Sequence, residues 1–217
     1  MLEDALFRLL ALVEQVGVWL SILAWISVAA AAVVMAYVLR NEKRGAVWAA
    51  AAIVGAVALG ANLADYFVTL YLTPDLSLEA NPLWRNMVKD FGLHVAKWYG
   101  LTGKILVSIL AGQMFAFYLS NRERLFPDRA TSLVEFLRGM GNRSKTLRER
   151  LVALITVFAF FFAGVQPLFL YIAYLNWTEA PARLPSVPVA IMLYTVTLAI
   201  VFVATTYRDW VRHPSKA

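Results

Sequence analysis

Residues 46–72 read AVWAAAAIVGAVALGANLADYFVTLYL, an apolar run interrupted by a single charge, Asp65. An α-helix needs about 20 predominantly apolar residues to cross a bilayer. A soluble surface helix of this length would instead carry charged residues along one face. The run is therefore read as a transmembrane span, with Asp65 a carboxylate at membrane depth. Four more apolar runs lie outward from it, at about 18–39, 93–119, 151–175 and 187–207. Composition agrees: 61% of residues are hydrophobic, 16% are charged and the mean hydropathy is +0.65, outside the range of soluble globular chains. The expectation is an all-α integral membrane bundle of about five spans, forming one membrane domain over 1–217.

The charges outside the spans set an expected orientation. Segments 40–44, 120–150 and 208–217 carry three, eight and three Lys or Arg, against one, two and one in 1–16, 73–90 and 176–186. Basic loops stay on the cytoplasmic side, which predicts a cell-membrane protein with its N-terminus outside and C-terminus cytoplasmic. Aromatics near span ends fit interfacial belts, with Trp48, Tyr118 and Trp210 inside and Tyr71, Trp84 and Trp177 outside. The net charge of +6 is then a loop property. Nucleic-acid binding would require aromatic platforms or a recognisable motif, and neither is visible. No cysteine is present, which excludes disulfides, thiolate catalysis and Cys-ligated metals. The acidic start, Met1-Leu-Glu3-Asp4, lacks the positive charge of a signal peptide, so the first span is expected to be retained. Residues 2–16 place Leu2, Leu6, Leu9, Leu10 and Val13 on one helical face and predict a short interfacial helix.

Polar groups inside the spans are the candidate site. Asn62, Asp65 and Thr69 are spaced +3 and +4, and so are His94, Lys97 and Leu101, with Lys104 three further on. Each set shares one helical face. The two spans are consecutive and antiparallel, so the faces can oppose each other. At a rise of 1.5 Å per residue Asp65 lies roughly 10 Å below the outer end of its span, and Lys104 roughly 15–18 Å below its own. An isolated charge at that depth is costly, so Lys104 is expected to pair with Asp65 or Glu79, or to titrate as a neutral amine. In Glu79-Ala-Asn81-Pro82 the proline suits a first helical turn. Asn81 is then the N-cap of a short helix from 83 to about 90, within a re-entrant or lid-like loop that carries Glu79 toward the pair.

The order Asp65, Thr69, Glu79, Asn81, Pro82 and Lys104 resembles a family of small prokaryotic membrane proteins of unknown function catalogued as DUF5658, which share an Asp-x-x-x-Thr … Glu-x-Asn-Pro … Lys pattern. The resemblance covers about 45 residues. It implies a shared polar site at Asp65, Thr69, Glu79, Asn81 and Lys104, and it implies no activity.

Secondary signals are weaker. His94 with Asp65 and Glu79 could supply three metal ligands, but the lysines repel a cation and no His-x-x-x-His spacing occurs, so neither metal nor cofactor is expected. Gly164-Val-Gln166-Pro167 places a proline kink and an amide inside span four. Gln113 adds another amide on span three, which would extend a polar route from Glu79 through Asp65 and Lys104. In the basic loop, Leu133, Phe136, Leu137 and Met140 share a face, predicting an interfacial helix at about 131–141 against anionic lipid. No phosphate-binding glycine motif or hydrolase signature occurs. The leading expectation is a small ion- or proton-coupled transporter, channel or ligand-binding protein. The alternatives are a membrane enzyme acting on lipid or its head group, with Glu79 or Asp65 as base, and a non-catalytic subunit, associating with itself or with a membrane complex, whose Asp–Lys clasp is structural.

Overall fold

The computed structural model describes residues 17–77, 81–127, 130–141, 146–178 and 187–212, and among these the chain is helical with no strand. In order the elements are α1 (Val18–Leu39), α2 (Gly45–Leu72), α3 (Pro82–Asn121), a 3₁₀ turn (Arg122–Leu125), α4 (Leu133–Gly139), α5 (Leu147–Val165), α6 (Leu168–Thr178) and α7 (Val187–Arg212). Five stretches of the described residues are long and apolar enough to cross a membrane: Val18–Leu39, Gly45–Leu72, Pro82–Leu125, Leu147–Thr178 and Val189–Arg212. This all-α architecture is compatible with a polytopic membrane protein. The helix expected at 2–16 lies outside the described residues.

The bundle is built on α3. Helices α1, α2 and α5 pack against it, α6 packs on α2, and α7 packs on α5. Small residues make this closeness possible. A Cβ at Gly112 would lie 2.8 Å from the carbonyl of Ala51, and one at Gly55 would lie 3.6 Å from the carbonyl of Ser108. α2 and α3 thus meet backbone to backbone, where van der Waals packing between helices in lipid is strongest. The outer helices are sparsely buried. Leu23, Ile26 and Val33 on α1 and Met192, Val196 and Ile200 on α7 are exposed, the surface expected where lipid replaces protein as the neighbour.

Two breaks shape the interior. Gly92 has φ +82° within α3, a conformation open chiefly to glycine. In a straight helix Trp84 and Ala96 would be roughly 18 Å apart along the axis. Instead the Trp84 indole donates to the Ala96 carbonyl at 2.5 Å, and its ring lies against the Cα of Gly100. The arm 82–91 therefore folds back along 93–121. The second break is Gln166–Pro167, between α5 and α6. Proline offers no N–H to the preceding turn, and Tyr194 Oη on α7 donates to the Gly164 carbonyl there at 2.8 Å.

Several expectations change on contact with these packings. Residues 73–90 are more than a polar connection, because their second half is the folded-back arm. Trp84 and Tyr118 are 4% and 3% exposed and so do not belong to interfacial belts. Trp84 stacks on Tyr66, and Tyr118 packs on Phe160 and Phe202. In α4 the expected common face is divided. Phe136 is fully buried against Tyr207 and Trp210 of α7, whereas Leu133 and Leu137 are exposed.

Candidate functional site

Asp65 on α2 and Lys104 on α3 form an ion pair at 2.6 Å, with side chains 14% and 16% exposed. Each lies well inside its helix, so neither charge reaches the end of its span. Mutual neutralisation is the arrangement that makes such groups tolerable at membrane depth. The Lys104 ammonium also lies 5.1 Å from the ring centre of Phe169, and an aromatic face favours a cation. Phe169 sits here because the Pro167 break begins α6 beside α2.

One turn from Asp65, Asn62 is 2% exposed and Gln166 is 3% exposed. Asn62 Nδ2 donates to Gln166 Oε1 at 3.0 Å and to the Ala58 carbonyl at 2.9 Å. Gln166 Nε2 in turn donates to the Phe162 carbonyl at 3.0 Å. With both Asn62 donors engaged, its Oδ1 is the group it retains for a further partner.

A cavity of about 240 Å³ lies beside these residues, bounded by α1, α2, both arms of α3 and α6. Asn62, Asn81, Lys104 and Phe169 line it, and Gly100 and Gly103 form part of its wall. Asn81 reaches this level because the arm folds back. A helix start leaves its first backbone donors without intrahelical partners. Here Pro82 has no N–H, Asn81 Oδ1 accepts from Leu83 N at 3.0 Å, and the Asn81 carbonyl accepts from Trp84 N and Arg85 N at 3.1 Å. The Asn-Pro dipeptide thus satisfies the first turn from within.

The aromatic groups around the cavity are already committed. Tyr99 Oη donates to the Ser21 carbonyl at 3.0 Å, Ser21 Oγ donates to the Leu83 carbonyl at 2.8 Å, and Trp25 Nε1 donates to Thr102 Oγ1 at 3.1 Å. Tyr66 Oη donates to the Lys97 carbonyl at 3.1 Å while its ring stacks on Trp84 at 5.6 Å. These contacts tie α1 and α2 to both arms of α3. The polar character of the cavity is left to Asn62, Asn81 and Lys104.

The remaining sequence candidates are placed as follows. Thr69 uses its carbonyl to accept from Thr73 N and Oγ1 and does not line the cavity. His94 is exposed. Lys97 lies near Asp75, whose carboxyl is held below its ordinary range chiefly by hydrogen bonds from Ser77, with a smaller contribution from Lys97. The shared face expected of His94, Lys97 and Lys104 thus delivers Lys104 alone to Asp65, since His94 and Lys97 sit nearer the helix end, beside the folded-back arm. Gln113 Oε1 is buried and accepts no hydrogen bond among the described residues, and Gln113 lies outside the cavity. Glu79 is outside the described residues. No group of three or more His, Asp or Glu among the described residues is arranged to hold a metal.

Sequence reasoning missed Ser21, Trp25, Trp84, Tyr99 and Phe169. Ser21, fully buried, carried a legible signal as a hydroxyl within an apolar span. The aromatics did not, because the same residues also serve as lipid-facing surface. Searches for similar proteins found no matching family model, no matching curated protein and no matching solved structure.

Proposed function

We propose that this chain is a cell-membrane protein that binds a small solute in the cavity at Asn62, Asn81 and Lys104, as an ion- or proton-coupled transporter, channel or ligand-binding protein. The observation that carries this reading is the Asp65–Lys104 ion pair beside a cavity to which Lys104 itself contributes. A purely packed interface would leave no space at the lysine. The folded-back arm adds support, because helices that begin inside a membrane border solute paths. The cavity is mostly aromatic and aliphatic with one polar edge, which suits a small solute having an apolar body and a single polar or anionic end. Asp65 holds the lysine in place, and Lys104 exchanges it for the polar or anionic end of the solute.

The test is flux. Proteoliposomes containing a pH dye are challenged in turn with small carboxylates and small amines. A solute-dependent signal is expected, abolished in Asp65→Asn and Lys104→Met variants that still fold. Undiminished flux in a folded Asp65→Asn protein would overturn the proposal.

A second reading, the structural clasp, is favoured by the internal pairing of Asn62 with Gln166. Here Asp65 and Lys104 would only lock α2 to α3. The DUF5658-like resemblance fits either reading, since its Asp65, Asn81 and Lys104 converge while Thr69 stands apart. The proposal includes the orientation given by the basic loops, with the Arg122 end cytoplasmic and drawn to anionic lipid.

A further inference from the structure

A second cavity, of about 830 Å³, lies at the opposite end of the bundle, where α1 and α3 end and α5 begins. Its two halves differ. Leu39, Phe117 and Val152 form an apolar wall, and Asn41 just after α1, Asn121 and Arg124 at the end of α3 and in the turn that follows, and Arg148 in the first turn of α5 form a polar one. In a bilayer crossed by these helices, that boundary would fall near the level where hydrocarbon gives way to head groups.

The charges at this cavity are unequal in availability. Glu42 accepts from Arg44 at 2.6 and 2.9 Å and from Ser120 Oγ at 2.5 Å, and these bonds hold its carboxyl far below the ordinary range. Glu149 accepts from Thr146 N at 3.0 Å in the capping box that starts α5. Both acids are engaged. Arg124 commits only its Nε, to Asn121 Oδ1 at 3.1 Å, leaving its terminal nitrogens. Arg148 has no hydrogen-bonding or ion-pair partner among the described residues. The positive end of α5 opens onto the same space.

We infer that this cavity is a binding site for one anionic phospholipid. Its phosphate would be held between Arg124 and Arg148, a geometry suited to guanidinium forks, and its glycerol and first methylenes would lie along Leu39, Phe117 and Val152. This is more specific than a basic surface attracting a charged bilayer, because a distinct apolar wall continues below the phosphate position. A free phosphate ion would use only the upper half.

Native mass spectrometry of the detergent-purified full chain, titrated with phosphatidylglycerol or phosphatidylcholine, tests the assignment. One phosphatidylglycerol is expected to be retained in preference to phosphatidylcholine. The double variant Arg124→Gln/Arg148→Gln is expected to weaken it roughly thirty-fold, from about 1 kcal/mol per basic residue. Val152→Trp, which fills the apolar half and keeps both arginines, is expected to weaken it as well, and millimolar inorganic phosphate is expected not to displace it. Equal retention of the two lipids, indifference to the double substitution in a protein of unchanged circular dichroism, or displacement by phosphate would each overturn the assignment. If Val152→Trp has no effect, the apolar half is not part of the site and the phospholipid assignment fails.

Discussion

At the residue scale the ion pair dominates. Removing one partner of a buried pair leaves an uncompensated charge, a loss of about 3–5 kcal/mol, whereas replacing both with apolar residues is often neutral. Asp65→Leu and Lys104→Met are therefore each expected to lower thermal stability sharply, and the double variant to recover most of it. The same double variant separates the two functional readings. A structural clasp predicts that it restores everything. A solute site predicts that it restores the fold and leaves flux absent. The neighbouring amide pair is a smaller effect: Asn62→Leu is expected to destabilise by about 0.6–2 kcal/mol, the range for interhelical hydrogen bonds in membranes, read as a shift in detergent unfolding midpoint. Both donors of Asn62 engage carbonyl groups, so its removal also leaves Gln166 Oε1 without its partner.

At the scale of elements, the cavity exists because the arm 82–91 lies back along 93–121. Two glycines permit this for different reasons. Gly92 supplies the backbone conformation, at φ +82° and ψ 168°, a region essentially confined to glycine, and Gly92→Ala is expected to cost about 1–3 kcal/mol. Gly100 supplies space, since a side chain there would occupy the position of the Trp84 indole. Gly100→Leu is thus expected to displace Trp84 and move the arm away from α1. The chain contains no cysteine, so a pair introduced at Ala24 and Leu83, both on the cavity wall, reports this directly. A short bifunctional thiol reagent should bridge them in the parent protein and fail to do so after Gly100→Leu. Efficient bridging in that variant would show that the arm holds its place without Trp84. The kink at Pro167 works in concert with the arm, because it brings Phe169 to Lys104.

At the scale of the whole molecule, the two ends are chemically distinct. One end carries Arg44, Arg122, Arg124, Arg148 and Arg208, with Arg122 paired to Asp209 of α7. The other presents the exposed aromatics Tyr71 and Trp177, whose rings lie 5.2 Å apart. A basic end retained in the cytoplasm predicts that a phosphatase fused after Arg212 is inactive in cells and that a fluorescent protein fused there is bright. The reverse pattern would invert the proposed orientation, and with it the side from which the 240 Å³ cavity is approached.

The sequence alone determined the all-α class, the five apolar stretches, Asp65 and Glu79 as the candidate partners of Lys104, and the short helix capped by Asn81. These follow from hydropathy, helical periodicity and the cost of isolated charge in hydrocarbon, all of them local or one-dimensional. Tertiary structure decided that His94 and Lys97 stand apart from Asp65, that Gln166 meets Asn62 across 104 positions of sequence, and that Asn81 reaches the level of Lys104. The physical reason is that each depends on where a helix breaks and which way the chain then runs. Gly92 and Pro167 announce a break, but only the packing of Trp84 on Gly100 and of Phe169 against Lys104 fixes its direction.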